Sequence, residues 1–224
     1  MLECRNCGAG SPIDEHFCTQ CSRILALGRH GDYFGFLGLP RRLGLDLIDL
    51  EQRFRDLSRQ LHPDYFYNAL PAERLASLER SSYLNDAYRT LKNPSTRIEH
   101  LLALEGLPPA TSDDGGVKVP LALLKEVFAL NEELDEIREL RESSADADAL
   151  RVRLDAARTP IERKRDEHER RIGDLGDRWD REAGAVPDER LGTLTALREQ
   201  LLERKYIDNL LVTIDREAAG LGAS

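Results

Sequence analysis

All four cysteines of this chain lie within its first 21 residues, where they form two pairs, Cys4-x2-Cys7 and Cys18-x2-Cys21, with ten residues between the pairs. Two thiolates two residues apart can bind one cation while the backbone N–H groups of the turn point at sulfur. Gly8 follows Cys7 and supplies the backbone freedom that such a turn often uses. Four thiolates around one ion describe a structural Zn²⁺ site with no open position for catalysis.

Two other interpretations of the cysteines stay open. Iron could occupy the same four-sulfur cage, and the pairs could instead form two disulfides or a redox pair. We favour zinc because thiols of a cytosolic protein stay reduced, and because a segment this short has no core to fold it without a metal. His16 lies close by, but four sulfurs already complete the coordination, so we expect it at the surface.

A second candidate site is the tripeptide His62-Pro63-Asp64, which follows a predicted helix from about residue 46 to residue 61, with Asp46 as its N-cap. Apolar residues recur there at steps of three and four, which places them on one face that we expect to be buried. That face consists of Leu47, Leu50, Phe54, Leu57 and Leu61. Pro63 disfavours helical geometry at His62 and has no N–H, so the chain should turn and expose His62 and Asp64.

The same helix carries three arginines away from its apolar face. Arg55 and Arg59 are four residues apart, and Arg53 lies on the flank. Their guanidinium groups are predicted to face solvent or a partner.

Composition limits the classes of function. The 224 residues are 41% hydrophobic, and 32 Lys and Arg against 41 Asp and Glu give a net charge of −9, so a nucleic-acid-binding role lacks its usual basic footprint. No apolar run approaches the roughly 20 residues that cross a bilayer, and the N-terminus has no presequence pattern. We expect a soluble cytoplasmic protein that binds neither nucleic acid nor membrane. Without a phosphate loop, nucleophile elbow or paired-histidine motif, we also expect no enzyme.

The predicted fold class is all-α, with a helical hairpin and a C-terminal three-helix bundle, preceded by a small zinc-knuckle module. The predicted divisions are a separable metal module and linker at 1–31, a hairpin domain at 32–107, a turn-rich linker at 108–120 and a bundle at 121–224. Besides the basic helix, we expect helices at 32–40, 72–92, 95–106, 121–142, 145–174 and 188–219. Gly173 and Gly176 are expected to break the chain at the end of the fifth of these stretches, 145–174.

The first helix of the predicted bundle has more apolar surface than one packed stripe requires. Its core face is Leu123, Val127, Leu130, Leu134 and Ile137. A second row, Leu121, Leu124 and Phe128, continues to Glu132. An extra apolar row bordered by acidic residues indicates a docking surface. The alternative is that this row packs against the hairpin domain or the third helix of the bundle.

Several motifs around the tripeptide together resemble the HscB family of iron–sulfur-cluster co-chaperones, whose J-domain is followed by a small three-helix domain. The likeness covers nearly everything from Asp32 onward, and the four-cysteine module resembles one carried by some members. The matching segments are Asp32-Tyr33-Phe34, Gly38-Leu39-Pro40, Arg53-Phe54-x-Asp56-Leu57-x-Arg59-Gln60, Leu84-Asn85-x-Ala87-Tyr88-x-Thr90-Leu91, Asn93-Pro94-x-x-Arg97-x-Glu99 and Leu101-Leu102-x-Leu104-x-Gly106.

The resemblance implies two partners. A DnaK/HscA-type chaperone ATPase would be engaged by His62, Pro63 and Asp64, with Arg53, Arg55 and Arg59 meeting an acidic surface, and its ATP hydrolysis would be accelerated. A cluster-assembly scaffold protein of the IscU type would bind the first bundle helix and a nearby aromatic residue. The implied client contacts are Leu124, Phe128, Glu132 and Tyr206.

One position departs from the family pattern, since Tyr65 follows the tripeptide where J-domains commonly have lysine. Two other functions stay open: a J-domain co-chaperone that serves clients unrelated to iron–sulfur clusters, and a zinc-ribbon adaptor that binds nucleic acid.

Overall fold

The computed structural model describes residues 1–28, 31–107, 121–143, 146–182 and 187–221, without the side chains of 121–123, 142 and 187–189. The chain divides into two compact units, 1–108 and 109–224. The all-α prediction is confirmed, because helices dominate the described residues and the strands among them are two residues long. None of the helices in these ranges is long and apolar enough to cross a membrane.

The first unit begins with two small antiparallel pairings around the cysteines. Strands β1 (Leu2–Glu3) and β2 (Gly10–Ser11) flank the first cysteine pair. An isolated bridge between Phe17 and Ile24 flanks the second pair. Cys4, Cys18 and Leu25 form a small buried cluster between the two turns.

Helices form the rest of the first unit, and their ends follow local capping rules. They are α1 (Tyr33–Phe36), α2 (Leu47–Leu61), a 3-10 turn (Pro63–Phe66), α3 (Pro71–Lys92) and α4 (Pro94–Leu104). The predicted cap of α2 is confirmed, because the Asp46 carboxylate accepts a 2.8 Å hydrogen bond from the N–H of Ile48. Asp32 and Asn93 cap α1 and α4 in the same way.

Packing of α2 against α3 builds the core of the hairpin. Leu50 and Leu61 of α2 are fully buried, together with Leu84 and Leu91 of α3. The prediction that Leu47 shares this buried face is wrong, since Leu47 is 49% exposed. It is the first residue of the helix, and the buried stripe begins one turn later at Leu50.

The second unit consists of α5 (Leu121–Glu142), α6 (Ala147–Arg181) and α7 (Pro187–Leu221). Its core draws on all three helices. The buried members are Leu130, Leu134, Ile137, Leu150, Leu154, Ile161, Ile207, Leu210, Leu211, Ile214 and Leu221.

The predicted break at Gly173 and Gly176 is wrong, because α6 continues through both glycines to Arg181. A glycine within a helix costs roughly 1 kcal/mol relative to alanine. Trp179 lies beyond the glycines and is only 2% exposed. Burial of roughly 150–250 Å² of such a side chain, at about 25 cal/mol per Å², outweighs the cost of continuing the helix.

His168 is a buried titratable group in the second unit. Its side chain on α6 is 1% exposed, and its Nε2 lies 2.8 Å from the carbonyl of Gln200 on α7. Because a carbonyl can only accept, Nε2 carries the proton. Burial lowers the pKa of His168, so the folded protein holds the ring neutral.

We predict that acid weakens the second unit through His168. The ordinary histidine pKa is 6.5 and the folded value is lower, so the unfolded chain binds more protons as the pH falls, and stability present above pH 6.5 is lost below it. His168→Gln keeps an N–H donor without titrating, so it should flatten this dependence. Urea unfolding at pH 7.5 and 5.5, followed by the fluorescence of Trp179, measures the free energy of unfolding of the second unit. Identical pH dependence in both proteins would contradict the assignment.

Candidate functional site

The four cysteine sulfurs converge on one point. Their Sγ atoms all lie within 4.8 Å of one another, and the Cys4–Cys21 and Cys7–Cys18 pairs are 3.6 Å apart. Thiolates arranged tetrahedrally about 2.3 Å from a Zn²⁺ ion are separated by about 3.8 Å. The cysteines are free, at separations well beyond the roughly 2 Å of a disulfide. The two-disulfide interpretation is therefore wrong, and the four cysteines could hold one metal ion.

The two cysteine turns repeat one backbone geometry. The N–H of Gly8 donates to the carbonyl of Cys4 at 2.8 Å, and the N–H of Ser22 donates to that of Cys18 at 2.9 Å. Gly8 and Ser22 occupy equivalent places after the second cysteine of each pair, with φ of 72° and 56°. Serine in this left-handed region costs roughly 1–2 kcal/mol. The repeat indicates that the turn is required at both places.

Backbone N–H groups of the second turn favour the thiolate form that a metal requires. In the first turn, the N–H of Ala9 is outweighed by burial and the neighbouring thiols, which raise the pKa of Cys7 to about 12. N–H groups of Cys21 and Gln20 lower the pKa of Cys18 to about 6. The N–H of Arg23 likewise lowers the pKa of Cys21. Metal ligation requires deprotonated sulfur, so the backbone prepares these side chains as ligands. A bound zinc ion would supply a structural cross-link.

The His62-Pro63-Asp64 turn is ordered from within and open to solvent. The N–H of Asp64 donates to Nδ1 of His62 at 3.3 Å, and the N–H of Tyr65 donates to the His62 carbonyl at 3.0 Å. The side chains of His62 and Asp64 are nevertheless 50% and 88% exposed. A partner can therefore reach both functional groups in a fixed arrangement.

Arg55 and Arg59 of α2 are exposed and Arg53 is half-buried, and each of the three pairs with an acidic residue of the same helix. Arg53 contacts Asp49, Arg55 contacts Glu51 and Arg59 contacts Asp56. Exposed pairs of this spacing contribute about 0.3–0.5 kcal/mol, so a stronger acidic partner can displace them. Arg53 differs, because it also donates to the carbonyl of Gly38 at 2.9 Å and so ties α2 to the loop after α1.

On α5, Leu124 and Phe128 of the second apolar row lie outside the three-helix core. Phe128 is 67% exposed, Leu124 is half-buried and Glu132 is exposed. Tyr206 is partly buried and packs against the core of the bundle. The side chains of Leu121 and Leu123 lie outside the described residues. An exposed phenylalanine beside a half-buried leucine gives this face of α5 an apolar contact area.

No protein-family model matches the chain, but solved structures resemble it over most of its length. The crystal structure of the human co-chaperone protein HscB has a TM-score of 0.71 and 25% identity, covering 96% of this chain and 98% of that one. The chaperone HscB from Vibrio cholerae has a TM-score of 0.60 and 27% identity, covering 85% of this chain and 99% of that one. The chain is HscB-like. The resemblance predicted from the motifs is confirmed.

In this HscB-like chain, the metal segment is not an independent module. Ile24 is 7% exposed and lies in the same core as Phe34, Leu61 and Leu84. Residues 1–28 and the hairpin also fall in one compact unit. The predicted boundary at residue 31 falls inside this compact unit, because the sequence gives no sign that the apolar residues of the segment pack in the hairpin core.

A buried arginine makes the main polar connection between the cysteine segment and the hairpin. Arg80 of α3 is 0% exposed, and its guanidinium donates to the carbonyls of Leu25 at 2.7 Å, Ala26 at 3.1 Å and Glu15 at 3.2 Å. Its remaining hydrogen-bond partner among the described residues is Nδ1 of His16, at 2.8 Å. Burial lowers the pKa of Arg80 to about 10, so the group stays charged at neutral pH.

Two neighbouring contacts strengthen this junction. His16 accepts from Arg80 and therefore carries its proton on Nε2, which donates to the carbonyl of Phe36 at 3.1 Å. Arg23 pairs with Glu73 of α3 at 3.0 Å. The sequence analysis did not identify Arg80. The one pattern that could have indicated its burial is its helical spacing from the buried residues Leu84 and Ala87.

We predict that metal loss destabilises α3 as well as the cysteine segment. Cys18→Ser or chelation should release the metal and loosen the carbonyls that hold Arg80, leaving a buried charge with fewer partners. Amide exchange along α3 should accelerate at least about tenfold, the equivalent of about 1.4 kcal/mol.

Exchange mass spectrometry alongside metal analysis measures this effect, and α6 in the second unit serves as the internal control. Acceleration confined to residues 1–28 would show that the junction does not transmit the loss.

Proposed function

We propose that this protein is a J-domain co-chaperone that stimulates the ATPase of a DnaK/HscA-type chaperone and delivers an IscU-type scaffold protein to it during iron–sulfur cluster assembly. The observation that carries the proposal is the exposed His62-Pro63-Asp64 turn at the end of a rigid helical hairpin. The likeness to co-chaperone structures over nearly the whole chain supports it. The proposed setting is the cytoplasm.

The proposed role of the turn is to bias the chaperone's conformational equilibrium. A partner can shift such an equilibrium only by binding one state better than the other. His62 and Asp64 are held in a fixed geometry, so little conformational entropy would be lost when they bind the chaperone. A fixed pair of groups also fits one conformation of the chaperone better than another. The chemistry of ATP hydrolysis then belongs to the chaperone, and this chain acts without catalysis of its own.

The arginines of α2 are proposed to orient the complex. Arg55 and Arg59 have exposed side chains, at 66% and 71%, and their intrahelical pairs are weak. An acidic chaperone surface would attract them and speed encounter more than it would add affinity. Arg53 would contribute less freely, since it also holds the loop at Gly38.

The second unit is proposed to bind the scaffold protein through α5. Phe128 and Leu124 offer the apolar contact, Glu132 the polar border, and Tyr206 a further aromatic side chain. Aromatic residues near the centre of an interface commonly carry much of its binding energy. The metal at Cys4, Cys7, Cys18 and Cys21 is proposed to be zinc in a structural role.

We predict that His62→Gln lowers ATPase stimulation at least tenfold without unfolding the protein, because within the described part of the chain the half-exposed ring bonds only inside its own turn. Steady-state ATP hydrolysis by a purified DnaK/HscA-type chaperone measures the effect. His168→Gln makes the same exchange in the second unit and should leave stimulation unchanged. Full stimulation by His62→Gln would refute the proposed role of the turn.

For the client surface, Leu124→Ala combined with Phe128→Ala should weaken scaffold binding about 10- to 100-fold, equivalent to about 1.4–2.8 kcal/mol. Titration calorimetry with an IscU-type scaffold protein tests this. The control is Val152→Ala with Val212→Ala, which removes apolar side chains that are 68% and 53% exposed on α6 and α7. Equal losses in both double variants, or none in either, would exclude α5 as the specific surface.

A further inference from the structure

The carbonyl of Leu61 ends α2 immediately before the proposed chaperone-binding turn. In a continuing helix it would accept from the N–H of residue 65. Here Tyr65 donates to the carbonyl of His62 instead, and Asp64 donates to the His62 ring. Pro63 has no N–H. Leu61 is 0% exposed, so its carbonyl needs a partner from another part of the fold.

Two serine hydroxyls of α3 supply that partner. Ser77 Oγ donates to the Leu61 carbonyl at 2.7 Å, and Ser81 Oγ donates to the same oxygen at 2.9 Å. The serines are four residues apart and therefore lie on one face of α3. A carbonyl oxygen has two lone pairs, so the pair satisfies this acceptor completely.

We propose that Ser77 and Ser81 are positioning residues for the His62-Pro63-Asp64 turn. The Leu61 carbonyl and the His62 nitrogen belong to one planar peptide unit. Two donors on the carbonyl therefore fix the orientation of that plane and the direction in which the chain enters His62. The proposal rests on the function assigned to the turn, and it adds residues that do not themselves meet the chaperone.

Burial makes this arrangement specific to the hydroxyls. Ser77 is 0% exposed and Ser81 is half-buried. Loss of one hydroxyl leaves the carbonyl with one of its two donors and should have a small effect, whereas loss of both leaves a buried acceptor unpaired and should cost more than the two single losses together. The two substitutions should therefore be non-additive, as expected for groups that share a partner.

The expected functional effect differs from loss of His62. A loosened turn occupies the binding-competent orientation for a smaller fraction of the time. The apparent affinity of the protein for the chaperone falls in proportion to that fraction. Saturation with the variant restores the competent complex. Ser77→Ala with Ser81→Ala should therefore raise the half-saturating concentration about tenfold and preserve maximal ATPase stimulation, while His62→Gln lowers the maximum.

The experiment titrates a DnaK/HscA-type chaperone with wild type, the double variant, and Ser82→Ala, which removes an exposed hydroxyl from the adjacent position. NMR order parameters at Asp64 and Tyr65 give a second readout that needs no chaperone. In the double variant these should fall from the rigid range near 0.85 toward 0.6. Ser81→Thr retains the hydroxyl and should restore both readouts relative to Ser81→Ala.

The outcomes separate the inference from the proposed function. Wild-type values for the double variant in both readouts would overturn the positioning role and leave the co-chaperone function standing. No stimulation by wild type would refute the co-chaperone function, and the order parameters would still decide whether the serines hold the turn. If the double variant fails to fold, Ser81→Ala alone, at a half-buried site, should show a smaller change in the same direction; wild-type values there would overturn the inference.

Discussion

The buried guanidinium of Arg80 is the contact on which the first unit depends. A charge placed out of water is tolerated only where its donors are satisfied. The donors of Arg80 meet carbonyls and a ring nitrogen contributed by residues 15–26, so the segment that carries the cysteines completes the interior of the hairpin. If the four cysteines hold a metal ion, its loss would therefore affect helices that contain none of its ligands.

Helix α3 concentrates these polar connections within about two turns. Glu73 and Arg80 face the cysteine segment, while Ser77 and Ser81 hold the last carbonyl of α2. The polar residues interrupt an otherwise apolar buried stripe, where their cost is repaid only by specific partners. Helix α3 therefore contacts the cysteine segment and also holds the end of α2 from which the exposed turn begins.

Local rules anticipated much of this architecture. Apolar periodicity located the long helices, Asp46 was identified as a cap, and the cysteine spacing located the four-cysteine cluster. Errors arose where distant residues decide the outcome. Trp179 carries α6 past two glycines through its burial, and Arg80 finds its acceptors more than fifty positions away in sequence. Patterns in a single sequence do not predict contacts between residues that are far apart along the chain.

The placement of Arg80 has a consequence for biosynthesis. The cysteine segment is translated before α3, but both belong to one compact unit, and a domain generally folds as a unit. The carbonyls that hold the Arg80 guanidinium lie close in sequence to Cys18 and Cys21. If those cysteines bind a metal ion, metal supply would decide whether the hairpin can form, as well as whether the cysteine segment is ordered.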